Sequence, residues 1–448
     1  MPPFVTRLFL LTPLIAMAAA QMEEFYQPPG EHPALLLDAR RLRLLRRERE
    51  RQSLRWQQFQ SLIAGNARMP EPGLALALYY AVAGDEAVGR RAVEWASGES
   101  ADLRQVALGY DWCRPLLSES QAAALAAILE HSLDRPPRSN GIPEARARAF
   151  AALAVADHSP KVAERELRRI TVNWFRGDLA AALDHGRNVV PRGELYALLE
   201  ILHAVRDNLK IDLRESARDY FRRLGECELL SYYPASYPAP ENEYRIPAVK
   251  GGAPAPQDAI LARAADLALT AYDANSVEDQ FLQGWLMHDR FIMKSAFAVP
   301  YEFLWANPYQ PGLSYYNAPL SVHDTLLGRL FVRASWNDDA FWAGYFDGQL
   351  QVFENGEAKV TAPGAPNTIT VGDADIVHVA APSWPSFTGD FRRLFLVGLK
   401  PSRTYLLEPD HREMQEERSD PGGIIGLEFP AGFRGAIRIR QAPERPAK

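Results

Sequence analysis

The spacing of apolar residues changes once along this chain, near residue 330, and that change limits the fold more than any other feature. From about residue 33 to 300, apolar residues recur every three or four positions, as in GLALALYYAVAG (73–84), ESQAAALAAILEHSL (119–133) and GELYALLEILHAVRDNL (193–209). This is the pattern of amphipathic helices. Short breaks such as AGDEA and ADHSP join them, so sequential helices should pair as antiparallel hairpins. The stretches 34–64 and 277–297 each read as one helix. From 329 the runs shorten to RLFVRASW, AFWAGYFDG, LQVFENG, NTITV, RTYLLEP and GAIRIRQ, β-branched and aromatic residues between turn formers. The expected fold is multidomain, α then β. An N-terminal (α/α) toroid of helix hairpins occupies 21–328, and a C-terminal antiparallel β-sandwich occupies 329–448. No strict repeat period is visible, which disfavours a regular helical array.

A chain of 448 residues exceeds one ordinary core, in keeping with two domains. Residues 1–20, MPPFVTRLFLLTPLIAMAAA, read as a signal peptide: Arg7 gives the positive start, Leu8 to Met17 the apolar stretch, and Ala18 to Ala20 the cleavage site. The mature protein is therefore expected in the periplasm or outside the cell, with no transmembrane segment after signal removal. A net charge of −6 argues against nucleic acid as a partner. Cys113 and Cys227 are the only cysteines, and either a bridge or two buried thiols is compatible with export.

The stretch ALGYDWCRPLLSESQ (107–121) fits no simple period. It reads as a corner, with Tyr110 and Trp112 packed inward, Asp111 holding backbone amides, and Ser118 or Ser120 capping the next helix.

Three segments carry a family resemblance. HPALLLDARRLRLLR, GDEAVGRRAVEWA and ALGYDWCRPLLSESQ are similar, in this order, to segments of exported (α/α)-toroid polysaccharide lyases of the heparinase II/III and alginate-lyase type. The resemblance runs over roughly residues 31–345. It implies β-elimination of a uronic-acid polysaccharide, with one group neutralising the carboxylate and others moving protons at C5 and the leaving oxygen. On the resemblance, Tyr196 matches the family's tyrosine on the helix after a polar loop, and Asn140 loosely matches the asparagine opening its central helix. DHGRNVVPRGELYALLE adds His185 and Arg187 to the implied catalytic set, and Asn188, Arg192 and Glu194 to substrate binding. The strands corresponding to the family's His-rich segment read RASWNDDAFWAGYFDGQLQVF and contain no histidine. A catalytically degenerate glycan-binding relative of the same fold is thus the second reading.

Aromatic density points to carbohydrate independently, because sugar CH faces stack on rings. YYPASYPAPENEY, YEFLWANPYQPGLSYY and WNDDAFWAGYF supply Tyr237, Tyr244, Trp305 and Tyr315 as candidate sugar platforms. A further alternative is a glycoside hydrolase using two acids among Asp111, Asp184, Glu194, Asp289 and Glu302. His323 and Asp324 stand at the expected domain junction without metal-ligand spacing, and neither a metal nor a cofactor is expected. Arg40, Arg41, Arg43, Arg46, Arg47, Arg49, Arg51 and Arg55 make the first helix basic, with Glu48 and Glu50 interleaved. That helix reads as a solvated face or, as a minority reading, a surface for acidic polysaccharide or the cell envelope.

Overall fold

The computed structural model describes residues 26–28, 30–98, 102–237, 245–251, 255–288, 292–362, 368–379, 386–410 and 413–443. The signal-peptide reading and the candidates Tyr244 and Asp289 lie outside these residues. The helices are α1 (Ala39–Glu50), α2 (Leu54–Ala64), α3 (Pro72–Ala83), α4 (Glu86–Ala96), α5 (Leu103–Trp112), α6 (Glu119–Asp134) and α7 (Ile142–Ala154). They continue as α8 (Pro160–Arg168), α9 (Ala181–Asp184), α10 (Arg192–Leu209), α11 (Arg218–Leu230), α12 (Pro256–Tyr272), α13 (Val277–His288) and α14 (Val299–Trp305). A π-helical stretch, Arg169–Ala180, joins α8 to α9.

Six of these helices pack in a closed order: α3, α5, α7, α10, α12 and α14, with α14 returning to α3. Their sequences explain why they lie inside. On α7 and α12 most residues are buried, many of them alanines that let helices approach closely. Gly73 on α3 leaves room for the Trp95 ring of α4, which a Cβ would meet at 2.4 Å. The 107–121 corner behaves as its residues suggest. Asp111 accepts the amides of Ala34 and Leu35 and contacts His32 Nδ1 at 2.5 Å, while Trp112 Nε1 donates to the Leu35 carbonyl. Ser118 closes a capping box with Gln121. The HPALLL segment is thereby tied to the end of α5, almost eighty residues later in sequence.

Several expectations shift. The 34–64 helix breaks at Gln52, whose φ of 50° leaves the helical region, and Ser53 caps α2. Helix α13 ends at His288, and VPYEFLW within the aromatic stretch forms α14. Strands begin at Ser321, ahead of the expected boundary at 329. Cys113 and Cys227 are both free and buried, and burial pushes each thiol up to about 12.

The first sheet is β1 (Ser321–Asp324), β2 (Arg329–Arg333), β3 (Trp342–Phe346), β4 (Gln349–Glu354) and β5 (Glu357–Thr361), antiparallel and in sequence order. The second comprises β6 (Thr368–Val371), β7 (Ala374–His378), β8 (Ser386–Val397), β9 (Thr404–Pro409), β10 (Gln415–Arg418) and β11 (Ile425–Gln441). Its order is β10-β9-β11-β8-β7-β6. The expectation of purely antiparallel strands is corrected here, because β7 and β8 run parallel. Alternation along the first sheet sends its side chains two ways. Phe331, Trp342 and Phe353 join the helical core, whereas Leu330, Val332, Ala343 and Leu350 pack with Ile376 and Val397 of the second sheet. Trp342 Nε1 also donates to the Leu230 carbonyl at the end of α11, so the first sheet is held to the helices by polar as well as apolar contacts.

Candidate functional site

The implied catalytic tyrosine lies buried in the interior of the helical part of the chain. Tyr196 is 1% exposed; its hydroxyl donates to Glu200 at 2.8 Å and accepts from Trp305 Nε1 at 2.9 Å. Arg104 makes two bonds to the Glu200 carboxylate and Arg146 makes a third. Arg104 also reaches Glu71, which accepts from the Tyr301 hydroxyl. Burial would raise the Glu200 carboxyl, but Arg104 and Arg146 outweigh it and hold it low. Burial, reinforced by Glu200, pushes the Tyr196 phenol far above its ordinary value. Trp305 is equally enclosed, with the Arg41 guanidinium 4.2 Å from its ring. Neither Tyr196 nor Trp305 meets solvent where a sugar could stack or react.

The other candidates scatter around the outside. His185, Arg187 and Asn188 are exposed; His185, just past the end of α9, has its Nδ1 2.6 Å from the carbonyl of Ala181, the first residue of that helix. Arg192 turns inward to pair with Glu228 at 2.6 Å, and Glu194 is half-buried one turn into α10. Asn140 is exposed, with its carbonyl accepting from Trp174 Nε1. Of the acids considered for hydrolysis, Asp111 and Glu302 are locked, the latter between Arg55 and Arg263. Asp184 is exposed. No two of these described acids are seen facing each other across a cleft.

A cavity of about 480 Å³ lies instead where the helices meet the first sheet. Three segments build it. Helix α13 contributes Trp285 and His288, the loop after α14 contributes Tyr315 and Tyr316, and the β2–β3 connection contributes Arg333, Trp336, Asn337 and Asp338. Tyr233, Pro234 and Arg245, on either side of the loop after α11, complete the wall. Two glycines allow this arrangement. Leu313 N donates to the Gln280 carbonyl at 2.9 Å, laying the Tyr315 loop on the α13 backbone. A Cβ at Gly284 would sit 1.8 Å from the Leu313 oxygen, and one at Gly312 would sit 2.6 Å from Gly284 N.

The rings are mutually braced. Tyr315 and Tyr316 stack at 4.5 Å, Trp336 meets Tyr315 edge-on at 5.4 Å, and His288 lies 5.9 Å from Tyr315. The Tyr233 hydroxyl donates to Gln351, and its ring stacks on Phe353. Tyr237 is half-buried behind this wall, edge-on to Tyr233 and Phe353.

Charge in the cavity is unbalanced. Arg333 is 4% exposed, and among the described residues it donates to the carbonyls of Ser335 and Asn337, with its guanidinium 4.2 Å from the Trp336 ring. Burial, then the nearby Arg245, pushes it down to about 10. Asp338 is paired with Arg245 at 3.1 Å, on the exposed rim. Deeper in, Trp285 packs on Tyr232 at 4.6 Å, and the Tyr232 hydroxyl bonds Asp266 at 2.6 Å. Burial, then Glu228, pushes the Asp266 carboxyl well above its ordinary value.

The aromatic stretches in the sequence pointed to this region through Tyr315, but Arg333, Trp336, His288 and Trp285 were not singled out. Their signal was present in RASWNDD and QGWLMHD, where polar and aromatic residues interrupt an apolar run. Among the described residues, no group of His, Cys, Asp or Glu gathers as a metal-ligand set, and no helix is long and apolar enough to cross a membrane. Compared with protein-family models and with curated proteins, the sequence matches none.

Proposed function

We propose that this protein binds an acidic glycan, with one sugar seated in the cavity between the helices and the first sheet. The observation that carries this reading is Arg333, a buried guanidinium set among stacked rings that forms no ion pair among the described residues, Asp338 being held by Arg245. A buried cation keeps its charge at a desolvation cost unless an anion arrives, so the cavity favours a carboxylate-bearing ligand. The rings of Tyr315, Tyr316 and Trp336 suit the apolar faces of a pyranose. In this reading the closed order of α3, α5, α7, α10, α12 and α14 is an (α/α) toroid and the two sheets form a sandwich. The leader sequence would place the protein in the periplasm or outside the cell.

Titration calorimetry with a galacturonate trimer tests it. Arg333→Gln should weaken binding by about tenfold or more, as loss of a charged partner to a carboxylate does. Trimer binding equally tight in that variant would sink the idea. Elimination is the second reading, favoured by His288 and the Tyr315 hydroxyl standing beside Arg333 in one cavity. Growth of the unsaturated-uronate ultraviolet band, lost in His288→Ala, would promote binding to catalysis.

A further inference from the structure

Some exposed arginines of this protein are neutralised by a neighbouring acid. Arg90 pairs with Glu86, Arg165 with Asp134, Arg218 with Glu215, Arg222 with Asp219 and Arg434 with Asp390. Others, such as Arg68, Arg91, Arg135 and Arg187, form no ion pair among the described residues, and helix α1 gathers several of this kind side by side. Arg40, Arg43, Arg47 and Arg51 are exposed, and none forms an ion pair among the described residues. Offsets of three, four and four residues put them on one face, and the stripe runs about 16 Å along the axis. Glu50 is the exposed acid at its flank. At its end stands Tyr309, 39% exposed, with the Arg47 and Arg51 guanidiniums 4.4 and 5.1 Å from its ring. A chain of net charge −6 has thus concentrated uncompensated positive charge on one helix face.

We propose that this stripe is a second docking site, for the extended chain of a polyanionic polysaccharide whose single residue enters the cavity. The inference rests on the acidic-glycan reading and adds the length of the ligand. Tyr309 and the cavity residue Tyr315 belong to one loop, six residues apart, so they are separated by at most about 20 Å. One polymer can therefore touch both. A membrane surface fits less well, because an interfacial helix must present apolar residues. Of the three leucines of α1, Leu45 is buried in the main core, Leu42 packs against it, and Leu44 alone is left half-buried on the arginine face, too little apolar surface for insertion. Arginine forks also match carboxylate and sulfate geometry, and an exposed ring supplies a sugar platform.

The test compares ligands of different length on the mature protein: polygalacturonate, its trimer, neutral dextran, and phosphatidylglycerol vesicles. The variant R40Q/R43Q/R47Q/R51Q should bind polygalacturonate about tenfold or more weakly, with a shallower dependence on salt. Its trimer affinity and thermal midpoint should be unchanged, and the corresponding quadruple lysine variant should recover part of the loss. Unchanged polygalacturonate affinity and salt slope would overturn the proposal, as would a loss confined to vesicles. A trimer that ignores Arg333→Gln, beside a polymer that responds to the quadruple variant, would discard the cavity reading and keep the stripe.

Discussion

The ring interior and the junction cavity are made from the same residue types, arginine, tyrosine and tryptophan, but their charges are settled differently. Around Tyr196, four guanidiniums meet a carboxylate: Glu200 serves Arg104 and Arg146, and Glu302 serves Arg263 and Arg55, while Arg41 lies over the Trp305 ring with no open space at hand. Such a network is satisfied, rigid and closed to a ligand. In the cavity, Arg333 meets carbonyl oxygens and no carboxylate among the described residues, and space lies beside it. The difference teaches that residue type alone does not mark a site. An unmet charge next to open volume does.

The comparison can be broken in four places. Glu200→Gln should cost the most, about 3–5 kcal/mol, because buried Arg104 is left with Glu71 alone and the partly exposed Arg146 loses its carboxylate. Denaturant unfolding would read it, and a loss below 1 kcal/mol would mean the interior network is not structural. Gly284→Ala comes next, at about 1–3 kcal/mol from forced overpacking. It should also weaken trimer binding, since the Tyr315 loop must lift from α13; retained affinity would separate the glycine contact from the cavity. Tyr196→Phe should cost about 1–2 kcal/mol, the bonds to Glu200 and Trp305, and leave glycan affinity untouched. Any loss of binding there would return Tyr196 to the site.

The smallest effect is a pH dependence at the chain's first tie. Burial works against protonation of His32, but Asp111 and Asp157 outweigh it and raise its pKa. The histidine's folded pKa exceeds its unfolded value near 6.5, so its stabilisation is complete below that pH and fades as pH rises through the raised value. The magnitude should be about 1 kcal/mol, measured as the pH slope of stability in wild type against His32→Gln. Equal slopes would show that Asp111 holds the segment through the amides of Ala34 and Leu35 alone.

Much of the fold was legible because its signals are local. Helical spacing, the Ser118 cap with Gln121 and the Asp102 and Asp85 caps all act within a few residues. The same holds for the change to alternating strands. The break at Gln52 was missed because apolar spacing continues through it, and α14 because its aromatic residues read as a loop. The parallel β7–β8 pair was missed for a different reason: strand direction depends on connections, which spacing does not record.

The sequence by itself determined the order of helices and strands, the corner at Asp111, and the presence of many rings in the later loops. Only the tertiary structure decided which of those rings are accessible. Tyr196 and Trp305 are buried among the helices, whereas Tyr315 and Trp336 meet across a gap between three distant segments. It also decided which arginines find a carboxylate, because ion pairing over a hundred residues depends on packing, and periodicity carries no record of it.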